Sequence, residues 1–289
     1  MSLSSDSTSV PRQVIKKVLA KLEKEGQGTV VRKGISELDQ ELLDPFVLLV
    51  DFSFSLAAGF PNHPHRGFES VTYMLQGGII HKDPKGHQGT IQAGDVQWMT
   101  AGRGIIHSEF PEEEVNNGLQ LWINLPSIDK MIEPKYKELS SLEILRAEED
   151  GVEVKVIAGD SMGMKSPVYT RTPTMFLDFT LKPGSQTHQT VPESWTAFAY
   201  IIEGNEGVFG SLNSPAVSAH HVVVFGPGDL VSVWNKSTSR SLRFLLIAGK
   251  PIGEPVVQCG PFVMNTQAEI DTAFEDYQNA KNGFEMAKC

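Results

Sequence analysis

Val71-Thr72-Tyr73-Met74-Leu75-Gln76-Gly77 decides the fold. A run of β-branched, aromatic and aliphatic residues ends on a polar residue and a glycine, as a buried strand does when it enters a tight turn. Similar runs recur at Val222-Val223-Val224-Phe225 and at Leu242-Arg243-Phe244-Leu245-Leu246-Ile247. Gly, Pro and turn dipeptides separate them at short intervals, so the chain reads as all-β, built as barrels or sandwiches. The opening stretch also has a second copy. Tyr73-Met74-Leu75-Gln76-Gly77 matches Tyr200-Ile201-Ile202-Glu203-Gly204 at an offset of 127 residues, and Val50-Asp51-Phe52-Ser53 matches Leu177-Asp178-Phe179-Thr180 at the same offset. Ala93-Gly94-Asp95-Val96 resembles Pro227-Gly228-Asp229-Leu230, displaced slightly further. Several ordered matches at one spacing imply two copies of one fold in tandem.

The division expected is a disordered N-terminus over 1–12, a first barrel over 13–140, and a second barrel with a terminal helix over 141–289. The barrels should join near 135–150, where Glu148-Glu149-Asp150-Gly151 reads as a polar turn or linker. Two segments carry helical signals. Ser127 to Leu145 is interrupted by Pro134. Thr266-Gln267-Ala268-Glu269 has the form of a capping box, and Ile270, Ala273, Phe274 and Tyr277 form one apolar stripe ahead of a stop at Asn282-Gly283. Such a stripe should be buried, most simply against a barrel.

At 289 residues the chain can bury two cores of ordinary size, and 40% hydrophobic with 21% charged residues is globular composition. A net charge of −10 argues against direct nucleic-acid binding. The densest basic stretch, Lys16-Lys17 to Lys24, is interleaved with Glu23 and Glu25 and reads as a solvated face. Two cysteines, Cys259 and Cys289, make no disulfide framework and fit a reducing compartment. Met1 to Val10 is Ser-rich and polar, without the apolar run of a secretory signal. Phe46 to Phe60 is interrupted by Asp51 and too short to span a bilayer. A protein of the cytosol or nucleus is therefore expected, with no membrane contact; a monomer is the expected state.

His63-Pro64-His65 is followed, 42 residues after His65, by His107-Ser108-Glu109. Residues at i and i+2 of a strand project from one face, so two such strands side by side would converge three imidazoles and one carboxylate on one point. That set, free of thiolate, suits a borderline divalent ion such as iron, manganese, nickel, copper or zinc. Pro64 cannot donate to a sheet ladder, so its segment should start a strand or carry a bulge. Of the remaining histidines, His81 and His87 flank the turn Asp83-Pro84-Lys85-Gly86 and should be exposed, while His220-His221 would point to opposite faces of a strand.

The order Gly59, His63-x-His65, Glu69, then Gly94-Asp95, Gly102 and His107 resembles the two motifs of the cupin superfamily of small β-barrels. Within it, the match to the pirin family is close, and most like its plant members. Three blocks of the first half carry it: Phe60 through Glu69, Gln97 through Glu109, and Gly118-Leu119-Gln120-Leu121-Trp122. Tyr169-Thr170-Arg171-Thr172-Pro173, Gly260 through Thr266, and Asn279 through Glu285 carry it in the second half. The resemblance implies a bicupin with one Fe(II), or another divalent transition metal, held in the first barrel by His63, His65, His107 and Glu109. Many cupins place the carboxylate four residues after the second histidine, at Glu69 here; pirins place it two after the third, at Glu109. Glu69 then stands as a residue behind the ligands or in the pocket. Ser53 to Ala58 departs from the charged, Gly-rich family composition, which bears on the pocket mouth. The second copy has Gly184-Ser185-Gln186-Thr187-His188 and Val233-Trp234-Asn235 at the ligand positions, so it is expected to be metal-free.

Four protein ligands leave about two open positions on a ferrous ion, for an oxygen-donor substrate and dioxygen. The implied activity is of quercetin 2,3-dioxygenase type, with Glu109 as ligand and catalytic base for a flavonol hydroxyl. The competing expectation is a non-catalytic, redox-sensing regulator or transcription cofactor. It would act through protein partners in signalling, for instance a G-protein α subunit.

Overall fold

In the computed structural model, which describes residues 9–25, 28–36 and 43–287, the run from Val71 to Gln76 lies in the strand Phe68–Gln76. It is buried on both faces over most of its length and pairs antiparallel with Val96–Thr100 and Asn116–Asn124. The sheet around it runs Lys135–Leu139, Val96–Thr100, Phe68–Gln76, Asn116–Asn124, Phe46–Phe54, Thr29–Ile35, Lys21–Lys24. A smaller sheet runs Phe60–His65, Ile105–Pro111, Gly78–Lys82, Gln88–Gln92. Phe52, Phe54 and Met74 from the larger sheet pack with Ile79 and Ile91 from the smaller one. Alternation puts these side chains on one face of each strand, and burying them together removes apolar area worth about 25 cal/mol per Å².

The second unit repeats this order. Its large sheet runs Val14–Leu19, His221–Phe225, Thr196–Glu203, Leu242–Gly249, Thr174–Leu181, Val152–Ala158, Leu145–Glu149. Its small sheet runs Gln186–Thr190, Leu230–Asn235, Gly207–Phe209. Thr196–Glu203 and Thr174–Leu181 thus hold the places of Phe68–Gln76 and Phe46–Phe54, the pairs marked by the 127-residue offset.

The units are not contiguous in sequence. Residues 145–168 and 174–250 form one with the chain up to Leu19; residues 20–144, 169–173 and 251 onward form the other. This departs from the expected division into 13–140 and 141–289. Val14–Leu19 pairs with His221–Phe225 of the second unit, occupying the edge that Lys135–Leu139 occupies in the first. An unpaired strand edge accepts any segment that satisfies its main-chain groups, so sequence repeat alone does not say which segment does so. The order extends into the segment expected to be disordered. Pro11 bridges to Leu230, and the buried Arg12 donates to the carbonyls of Gly226, Pro192 and Glu193. Residues 1–8, and Cys289, lie outside the described residues.

The terminal helix, Gln267–Gln278, starts with the expected capping box of Thr266 and Glu269. It packs within the first unit, not the second: Ile270 and Ala273 are buried with Ile106, Phe262, Met264 and Phe284. Two other expectations are corrected. Ser127 to Leu145 forms only a short 3-10 turn, Ser127–Asp129, and the strand Lys135–Leu139, because Pro134 ends one pattern and the edge of the sheet recruits the other. Asp150 and Gly151, both at positive φ, make the hairpin turn between Leu145–Glu149 and Val152–Ala158, inside the second unit. Among the described residues no helix is long and apolar enough to cross a membrane.

Candidate metal centre

Phe60–His65 is an edge strand, which is where a proline such as Pro64 costs no ladder bond. It runs antiparallel to Ile105–Pro111 with His65 opposite Ile105 and His63 opposite His107, but with Phe60 opposite Glu109. One extra residue therefore sits in the Pro61-Asn62 stretch, a bulge that re-aims His63. His63 and His65 share one face by their i, i+2 spacing, as do His107 and Glu109. The ring centroids lie 4.8 Å apart for His63 and His65, 4.4 Å for His63 and His107, and 5.0 Å for His65 and His107. One nitrogen from each ring falls within 4.8 Å of the other two, and Glu109 Oε2 lies 3.8 Å from His63 Nε2.

Tautomer and charge favour metal donation. His63 Nδ1 donates to the Pro61 carbonyl at 2.9 Å, so Nε2, the atom facing Glu109, carries the lone pair. Burial lowers the pKa of all three imidazoles, and that of His65 and His107 well below the usual value; neighbouring imidazoles add to the effect on those two. Glu109 is buried, and burial pushes its carboxyl up to about 7 against a hydrogen bond from Gln120. Among the described residues neither ring nitrogen of the buried His107 has a hydrogen-bond partner. Buried polar atoms left open beside two more imidazoles and a carboxylate fit a divalent ion.

A cavity of about 520 Å³ opens on His63, His65 and Glu109. Phe52, Phe54, Phe60 and Trp122 supply its flat apolar walls. Trp122 stacks on Phe68 at 4.2 Å and meets His65 edge-on at 5.3 Å. Its Nε1 donates to Gln120 Oε1 at 3.0 Å, which leaves the Gln120 amide hydrogens for Glu109. Gln120 and Trp122 entered the sequence reading only as part of a family block; their i, i+2 spacing on one strand was the available signal. Phe54, within the atypical stretch Ser53 to Ala58, packs edge-to-face on Phe60 at 5.4 Å, so that stretch contributes an aromatic wall.

Glu69 does not join the group. Phe68 faces His65, and Glu69, the next residue, points the other way, where Thr100 Oγ1 donates to it at 2.7 Å. Burial raises its pKa, and its charged neighbours are Arg171 and Asp129. His81, expected on the surface, is fully buried because it lies in the strand Gly78–Lys82 directly opposite Glu109; His87 is part-exposed. His220 has φ of +65° and precedes the strand, so it and His221 are not an extended pair. In the second unit His188 Nδ1 bonds Ser232 Oγ at 2.8 Å, and Asn235 Nδ2 donates to the carbonyls of Leu181, Lys182 and Arg240. The first contact joins two paired strands and the second ties a strand end to its neighbouring loops.

Residues 29–123 match the family model described as Pirin, and residues 176–283 match that described as Pirin C-terminal cupin domain. Pirin-1 of Arabidopsis thaliana is 89% identical over 99% of this chain and 100% of its own length. Human Pirin is 51% identical over 96% of each chain. Among solved structures, a quercetin 2,3-dioxygenase from Acinetobacter baumannii superposes with a TM-score of 0.87 at 33% identity, covering 95% of this chain and 99% of that one. The architecture is thus two cupin domains, with a fold close to that of a metal-dependent dioxygenase.

Proposed function

The chain belongs to the pirin family, and from that premise we propose that it is an iron-dependent enzyme of quercetin 2,3-dioxygenase type. One observation carries the reading: a buried carboxylate, Glu109, stands 3.8 Å from one of three clustered imidazoles at an aromatic-walled cavity. The name of the 33%-identical Acinetobacter structure supports it. His63, His65, His107 and Glu109 would hold one Fe(II). The ion would supply Lewis acidity at the flavonol oxygens and the redox capacity that dioxygen requires.

The protein's own groups account for the remainder. The three imidazoles stay neutral at physiological pH because burial opposes their protonation, so they are available as donors. Glu109, a carboxylate beside the imidazoles, would take the proton of the flavonol 3-hydroxyl group. Gln120 holds that carboxylate in orientation while its own oxygen is fixed by Trp122. Phe52, Phe54, Phe60 and Trp122 offer faces to a planar ligand and exclude water, and about 520 Å³ is within the usual size range for a small-molecule site.

The test is oxygen uptake by iron-loaded protein in the presence of quercetin. Stoichiometric consumption with release of carbon monoxide is expected. Ferrous protein that consumes no oxygen, yet changes its affinity for a nuclear or cytoplasmic protein partner on oxidation, would overturn the enzyme in favour of an iron-dependent regulator.

A further inference from the structure

We propose that the first unit carries a second divalent-metal site, formed by His81, His87 and Glu138 and suited to a zinc-class ion. Glu138 Oε1 lies 2.7 Å from His81 Nε2 and 3.2 Å from His87 Nε2, and one donor atom from each residue falls within 4.8 Å of the others. Nitrogen and oxygen donors bound to one ion at about 2.1 Å stand roughly 3.0 Å apart at right angles and roughly 3.4 Å apart in a tetrahedron, so the His87 spacing suits a shared ion and the His81 spacing would open by a few tenths of an ångström.

The pairing of His81 with Glu138 is close but misaligned. Among the described residues neither ring nitrogen of the fully buried His81 makes a hydrogen bond, despite the 2.7 Å approach of the carboxylate. A proton shared between the two would pull them into line, whereas an ion at their meeting point needs lone pairs converging from the side. The fold also reserves the space. A Cβ on Gly89 would stand 2.5 Å from His81 Nε2 and 3.0 Å from Glu138 Oε1, so only glycine lets both atoms occupy that spot. Three separate elements bring the donors together: His81 from Gly78–Lys82, Glu138 from Lys135–Leu139, and His87 from the turn that Asp83 caps by accepting from the backbone N–H of Lys85 and His87. Tyr136 stacks on His87 at 4.3 Å and fixes its ring plane. A cavity of about 340 Å³, walled by His87, Tyr136 and Asp83, gives an entry path.

The site shares no ligand with His63, His65, His107 and Glu109, so it stands or falls apart from the proposed enzyme activity. Equilibrium dialysis of the full chain against excess Zn²⁺, followed by elemental analysis, tests it. Two ions per chain are expected in the parent. His87→Ala and the isosteric Glu138→Gln should each retain one, with second-ion affinity weaker by at least about a hundredfold. His107→Ala should keep the ion bound by the His81 group. Both His87 and Glu138 are part-exposed, and an unchanged thermal melt of the zinc-free variants checks that they fold. No ion in His107→Ala, or as many ions in both other variants as in the parent, overturns the proposal and leaves a His–Glu–His contact without metal.

Discussion

At Glu109 a single carboxyl group couples burial, protonation and metal binding. Its pKa of about 7 means the folded, metal-free chain holds a proton there that the unfolded chain releases near the ordinary carboxylate value. That contribution favours folding at low pH and is lost as pH rises through 7. The lowered histidines act oppositely: below about 6.5 the unfolded state binds protons that buried His65 and His107 resist, so acidification destabilises the fold through them. Metal binding needs Glu109 ionised and the imidazoles neutral; burial already holds the imidazoles neutral, so protonation of Glu109 is what weakens binding as pH falls below about 7. Elemental analysis after dialysis from pH 8 downward should show metal affinity falling below about pH 7; an affinity unchanged from pH 8 to about pH 5 would remove Glu109 from the ligand set. Glu109→Gln should lower flavonol-dependent turnover by at least about a hundredfold. Its metal-free form should melt no lower than the parent at pH 8, since the variant no longer buries an ionised group. A matching fall in melting temperature would reassign Glu109 to structure.

Among the elements, the C-terminal helix sits farthest in sequence from the histidines and yet braces them. Arg66, next to His65 in the chain, is buried. Its Nη1 donates to Asp276 Oδ2 at 2.9 Å, its Nε to the Arg103 carbonyl and its Nη2 to the Asn282 carbonyl, under the Phe284 ring. Removing one partner of a buried pair strands the other charge, so Asp276→Ala should cost about 3–5 kcal/mol in denaturant unfolding. It should also weaken metal retention, because the strand carrying His63 and His65 loses its anchor. A loss under about 1 kcal/mol would show that water reaches the guanidinium. Gly67 makes the same junction tight: at φ of +89°, a Cβ there would stand 2.0 Å from the Val263 carbonyl oxygen.

Across the whole molecule, each unit is completed by chain that sequence order would assign elsewhere. Val14–Leu19 closes an edge of the second large sheet, and residues 251 onward, with the helix, belong to the first unit. A chain lacking residues 1–19 should therefore expose the strand His221–Phe225 and lose the bonds of buried Arg12 to Gly226, Pro192 and Glu193. The expected outcome is faster proteolysis within residues 145–250 and a greater tendency to aggregate, while metal binding by the first unit persists. Equal protease resistance would show that the strand adds nothing to that sheet.

Strand periodicity, the 127-residue repeat and the i, i+2 spacing of the histidines determined an all-β tandem and a candidate group of three imidazoles with Glu109 beside His63, because both signals are local and survive as patterns along one chain. Only tertiary structure decided what depends on which strands become neighbours. It turned Glu69 away from the imidazoles, buried His81 opposite Glu109, brought Glu138 to His81 and His87, and gave the terminal strand and helix to opposite units. Which strands become neighbours is set by main-chain hydrogen bonds between distant segments, and apart from a local mark such as Pro64 that choice leaves little trace in residue spacing.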